Sequence, residues 1–121
     1  MEKECRERLD DIASKFKTCR KANSAIGDET RQLILLEILE REFNGIRVGE
    51  LTEKTNLSRP AVSHHLKILK EAEIVNVRRE GTKNFYYLDS KKSQWENLTE
   101  LMNLIFEGIQ HINEDDIRKE E

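Results

Sequence analysis

Between Val48 and Ala72 a helical pattern stops and, three residues later, starts again. Val48 to Thr55 predicts a short helix with Val48 and Leu51 inward, and Asn56-Leu57 a tight break. Ser58 then offers an N-cap oxygen, and Pro60 is tolerated because the first turn of a helix has no amide partner to lose. Val62, Leu66 and Leu69 follow at steps of four and three on one face, which leaves Arg59, Ser63, His64 and Lys67 on or beside the opposite one. Two short helices, the second capped and polar outward, make a helix-turn-helix over residues 48–72. No other stretch constrains the architecture as tightly.

The flanks supply the rest of a small domain. Cys5, Leu9, Ile12, Phe16 and Cys19 recur at steps of 4, 3, 4 and 3, predicting an amphipathic helix over 3–23. Asp28 reads as an N-cap, with Glu29 in the first turn where the helix dipole favours an acid. The dense run Leu33, Ile34, Leu35, Leu36, Ile38, Leu39 after it predicts a buried central helix ending near Asn44-Gly45. Past the helix-turn-helix, the β-rich runs 74–79 and 84–88 enclose Glu80-Gly81-Thr82-Lys83, a hairpin with a basic tip. Tyr86 and Tyr87 alternate across that ribbon, so one is expected inward, in the core, and the other facing solvent or DNA. From Ser90 to Ile112, Trp95, Leu98, Met102, Ile105, Ile109 and Ile112 follow heptad spacing, a seam that asks for a partner.

A chain of 121 residues has room for one domain with a real core, and residues 1–121 are read as one. Its 36% hydrophobic and 37% charged residues fit a small core wrapped in charged helices. The formal net charge of −3 argues weakly against non-specific nucleic-acid binding until its distribution is considered. From Leu57 to Lys83, Arg59, Lys67, Lys70, Arg78, Arg79 and Lys83 face only Glu71, Glu73 and Glu80, an excess of three positive charges. The acidity gathers instead in a tail over 113–121, read as a solvated, frayed end. No window is apolar enough to span a membrane, and the charged start of the chain is unlike a signal peptide, which points to the cytoplasm. Nothing resembles a phosphate loop, an HExxH motif or a nucleophile with its base, so the protein is not expected to be an enzyme and no cofactor is expected.

The order of elements, and three motifs in that order, resemble the ArsR/SmtB family of winged-helix repressors between about Ala25 and Leu88. Gly27-Asp28-Glu29-Thr30-Arg31 is similar to that family's Asp-x-Thr-Arg helix start. Leu57-Ser58-Arg59-Pro60-Ala61-Val62-Ser63-His64-His65-Leu66-Lys67 resembles its recognition helix, and Arg78 to Leu88 its wing. The resemblance implies a mainly α winged helix-turn-helix with a small β-hairpin, its helices running from first to fourth, the fourth being the recognition helix, then the β-wing at 74–88 and a fifth helix. It also implies a DNA-binding transcriptional regulator, most simply a repressor released by an effector. Family members dimerise through their first and last helices, which agrees with the two apolar stripes: Leu9, Ile12 and Phe16 on one, Trp95, Leu98, Met102, Ile105 and Ile109 on the other. A twofold dimer would present two recognition helices about 34 Å apart to a palindromic operator.

On this reading Ser58 and Ser63 donate to phosphates, Arg59 and His64 reach base edges with Lys67 beside them, and Arg78, Arg79 and Lys83 of the wing meet phosphate or minor groove. His65 lies nearer the Val62-Leu66 face and suits packing or an internal hydrogen bond. Trp95 suits packing better than ligand binding. Many relatives sense metals, but the helix before the recognition helix has no cysteine here. Of the family's second site, only His111 with Glu114, and Glu100, can be matched, too few ligands to hold zinc well. Cys5 and Cys19 sit on the apolar stripe and suit a buried seam better than redox or arsenite sensing. Neither a metal nor a redox site is therefore expected. The rival to a DNA-binding regulator is a winged-helix protein-interaction module, which would not require the basic recognition surface.

Overall fold

The computed structural model describes residues 3–120, with side chains as far as residue 114. Helix α1 spans Lys3–Thr18, α2 Arg20–Ile26, α3 Glu29–Glu40, α4 Val48–Thr55 and α5 Arg59–Glu71; strands β1 (Asn76–Glu80) and β2 (Lys83–Tyr87) precede α6 (Trp95–Glu120). This is the expected mainly α winged helix-turn-helix with one more helix than expected, because the segment 3–23 breaks at Cys19 and restarts as α2. The residues around the break, Lys17-Thr18-Cys19-Arg20-Lys21, contain neither glycine nor proline, so no local signal marks it. The chain forms two compact units, residues 21–96 and the paired terminal segments up to Arg20 and from Asn97.

In the unit 21–96, the Asp28 carboxylate accepts the Arg31 amide at 2.9 Å, the N-cap read from the sequence. Helix α3 buries Ile34, Leu35 and Ile38 but leaves Leu33, Leu36 and Leu39 exposed, so the apolar run is a half-buried helix and not a fully buried centre. It stops four residues before Asn44: Glu42 takes φ 55, and a 3-10 turn, Glu42–Asn44, follows. Gly45 then adopts φ 80, ψ 172, a conformation almost confined to glycine. A Cβ there would stand 3.0 Å from the Phe85 Cβ and 3.1 Å from the Tyr86 carbonyl oxygen. That close approach lets buried Ile46 pair with Tyr86 through two 2.9 Å backbone hydrogen bonds, adding a one-residue third strand to the hairpin.

Helix α4 ends on Asn56 in the left-handed conformation, and Ser58 caps α5 by accepting the Ala61 amide at 3.3 Å. Val62, Leu66 and Leu69 are buried as their spacing predicts. Ile74 and Val75 are buried too, but their amides both donate to the Leu69 carbonyl, so the wing's first strand starts only at Asn76. The strands are antiparallel, with Arg78 opposite Phe85 and Glu80 opposite Lys83. Of the two residues in the turn, only Gly81 has positive φ, as a type II′ hairpin requires. Both Tyr86 and Tyr87 are half-buried, so neither is the core residue expected.

A strap returns from the wing to the end of α5. The Gln94 amide donates to the Glu73 carbonyl at 2.9 Å, and the Trp95 Nε1 donates to the Ile74 carbonyl at 3.0 Å. Helix α6 consequently begins at Trp95 rather than near Ser90, and it runs on through Glu120 where a frayed tail was expected. The side chains of 115–120, and all of Glu121, which carry the tail's charge apart from Glu114, lie outside the described residues.

In the terminal unit α1 and α6 lie antiparallel. Lys15 donates to Asn97 and pairs with Glu100, and the Cβ that Gly108 lacks would be 3.5 Å from the Ile12 Cδ1 and 3.7 Å from the Arg8 Cδ. Among the described residues, no helix is long and apolar enough to cross a membrane.

Candidate nucleic-acid interface

The second helix of the helix-turn-helix presents its polar residues outward. Arg59, Ser63, His64 and Lys67 are all exposed on α5, together with Ser58 at its cap, while the apolar residues of the same helix face the core. Ser58 keeps its hydroxyl hydrogen for another acceptor, because capping uses only an oxygen lone pair. The Arg59 guanidinium lies over the first turn of α4, its Nη1 3.8 Å from where a Cβ on Gly49 would be.

Arg31 ties this helix to the body of the unit. Its Nε donates to the Ala25 carbonyl at 2.7 Å and its Nη2 to the Ser24 carbonyl at 3.3 Å, while its Nη1 lies 3.2 Å from the His65 Nδ1. A guanidinium only donates, so the Nδ1 is the acceptor in this contact. His65 therefore makes the internal hydrogen bond that its position suggests. From the sequence Arg31 was legible only as part of the Asp-x-Thr-Arg helix start, without a role of its own. The backbone N–H of Arg31 holds the Asp28 carboxyl below its ordinary pKa; desolvation opposes the effect and the Arg31 guanidinium reinforces it.

On the wing, Arg79 and Lys83 are exposed at the tip, with the Arg79 Nε donating to the Gly81 carbonyl at 3.0 Å. Arg78 differs from the outward-facing contact expected of it. Its Nη1 donates to the Phe43 carbonyl at 2.9 Å, its Nη2 to the Asn44 carbonyl at 2.7 Å and its Nε to the Glu80 carboxylate at 2.9 Å. Its guanidinium carbon also lies 5.3 Å from the Phe85 ring centre and 5.6 Å from that of Tyr87. Period-two alternation, which puts Arg78 on one face with Phe85 and Tyr87 and Arg79 on the other, was the available signal.

A polar recognition helix capped by Ser58, a preceding helix turned away through Asn56, and a basic hairpin behind them are the parts of a DNA reader. The family model described as bacterial regulatory protein, arsR family, matches residues 28–77, from the Asp28 cap into β1. Over 74 residues, 61% of this chain and 81% of the other, the sequence is 39% identical to an HTH-type transcriptional regulator of Methanocaldococcus jannaschii. Over 84 residues, 69% of this chain and 89% of the other, it is 36% identical to the transcriptional repressor SdpR of Bacillus subtilis. The chain belongs to the arsR family. Its structure is also similar to that of HlyU from Vibrio cholerae, with a TM-score of 0.55 and 30% identity over 88% of this chain and 98% of that one. As an arsR-family protein it is a DNA-binding transcriptional regulator, and the matched segment contains the whole helix-turn-helix.

Within one chain the residues considered for effectors lie apart, except His111 and Glu114, which are one helical turn from each other on α6. Glu100 is held by Lys15, and His111 lies eleven residues further along the same helix, about 16 Å away. Among the described residues, no three His, Cys, Asp or Glu side chains group as metal ligands would. Cys19 is buried, and Cys5 is about 21 Å away along the helical segment, against a limit of roughly 7 Å between the Cα atoms of a disulfide. Of the residues expected at a dimer seam, Leu98 is buried within the single chain and the Trp95 Nε1 donates to the Ile74 carbonyl. Leu9, Phe16, Met102 and Ile109 are exposed, Ile12 and Ile105 half-buried. Phe106, 61% exposed, was missed because it falls off the heptad spacing.

Proposed function

We propose that the protein is a homodimeric repressor acting in the cytoplasm on a palindromic operator. In this reading Arg59 and His64 meet base edges, Ser58, Ser63 and Lys67 meet the phosphates beside them, and Arg79 and Lys83 of the wing add phosphate or minor-groove contacts. The observation that carries it is the exposed row Arg59, Ser63, His64 and Lys67 on a helix whose other face is fully buried. A surface for packing against protein would not leave that row both polar and basic. Repression is supported by the likeness to SdpR, named a transcriptional repressor.

The dimer rests on the terminal unit, where Leu9 and Phe16 of α1 and Met102, Phe106 and Ile109 of α6 expose apolar side chains. A surface helix of a monomer seldom leaves such a row in water. Twofold symmetry would repeat the recognition helix at the spacing of one turn of DNA.

Binding to a duplex recovered by in vitro selection from random-sequence DNA, followed by fluorescence anisotropy, tests this directly. Arg59→Ala is expected to weaken binding by about tenfold or more and to relax sequence preference at one base position in each half-site, without unfolding the protein. Unchanged affinity and preference would remove Arg59 from the interface.

A further inference from the structure

We propose that Arg78 is a positioning residue for DNA binding: it fixes the wing against the turn after α3, so that Arg79 and Lys83 meet the duplex, and it makes no phosphate contact of its own. The proposal rests on the reading of Arg79 and Lys83 as wing contacts. Three of the five N–H donors of this guanidinium are committed, two to carbonyls and one to a carboxylate. The two carbonyls belong to Phe43 and Asn44, in the 3-10 turn that closes α3, where helical partners have run out. The hydrogen bonds therefore satisfy acceptors the turn cannot satisfy itself. On its other side the guanidinium lies over Phe85 and Tyr87 of the opposite strand.

The two carbonyl hydrogen bonds join the turn to the strand pair, while the Glu80 and ring contacts hold the guanidinium in place within the wing. A two-stranded ribbon is marginal on its own, and here the Ile46–Tyr86 hydrogen bonds and the close approach of Gly45 to Phe85 also anchor it to the preceding turn. Arg78 sits one residue before Arg79 and on the opposite face of the strand, so the plane it fixes sets the direction in which Arg79 leaves the ribbon. A lysine keeps the charge but not the planar fork, so it cannot hold two carbonyls and a carboxylate at once while stacking on two rings.

A double-mutant cycle on the intact protein, with the selected duplex as probe, tests the assignment. Arg78→Lys is expected to weaken binding by roughly fivefold or more in the parent, and by less than about twofold when Arg79 and Lys83 are already alanine, since the wing then has nothing to position. In the same variant without DNA, the Tyr86 amide is expected to exchange with solvent faster while the amides of α5 keep their protection. If Arg78→Lys keeps full affinity, the planar fork positions nothing, and if Arg78→Ala lowers the salt dependence by about one phosphate equally in both backgrounds, Arg78 touches the DNA directly; either result overturns the proposal. Unchanged Tyr86 exchange also overturns it. If the Arg79→Ala/Lys83→Ala protein binds like the parent, the wing makes no contact, and that reading fails together with this one.

Discussion

Gly45 decides more of the architecture than its size suggests. Its φ of 80 and ψ of 172 bring the turn after α3 against the wing, and a Cβ would meet Phe85 and the Tyr86 carbonyl at 3.0 and 3.1 Å. Gly45→Ala is expected to lower stability by about 2 kcal/mol or more in chemical denaturation, from backbone strain and the clash together. Gly108 is the opposite case, in the middle of α6 with room for a methyl group. Gly108→Ala is expected to raise stability by about 0.5–1 kcal/mol through helix propensity alone, and a loss would show that α1 and α6 are closer than 3.5 Å. Asp28 gives a pH dependence whose sign follows from its lowered pKa. Its capping contribution is fully present above the ordinary carboxylate value and is lost as pH falls from there through the folded value. Asp28→Asn keeps an acceptor at the cap, so its stability should fall less steeply on acidification than the parent's, which titration of denaturation midpoints would reveal.

At the scale of elements, much was legible because the chain states its own boundaries. Ser58 before Pro60, Asp28 before an apolar run, Asn56 between two short helices and Gly81 in a two-residue turn each carry a local mechanism, and the structure uses all four. What stayed hidden depended on tertiary context. The break at Cys19 has no punctuating residue, the exposure of Leu33, Leu36 and Leu39 depends on which face of α3 is covered, and Arg78 and Arg79 are chemically identical until strand pairing separates them. The exposed polar row on α5 was readable from helical spacing, whereas the role of Arg31, which links α5 to the end of α2, needed the folded chain to be seen. Ser58→Ala should cost about 1 kcal/mol of stability by removing the α5 cap. It should also weaken DNA binding if the hydroxyl donates to phosphate as proposed.

For the whole molecule, the proposed dimer and the proposed DNA surface make linked demands. Phe106 and Ile109 are exposed in the single chain, so Phe106→Glu or Ile109→Glu should leave its fold intact while halving the mass seen in sedimentation. The resulting monomer should bind a full palindrome no better than a half-site, because it has lost the second recognition helix. The central claim, that α5 and the wing read DNA, is tested most directly by the affinity of the parent protein for its selected duplex and for a scrambled duplex, each measured across salt. The account predicts a linear fall of log affinity with log salt on both, with a slope of about −0.9 for each phosphate neutralised, and an affinity for the selected duplex higher by roughly a thousandfold or more. Equal affinity for the two duplexes at every salt concentration would contradict it.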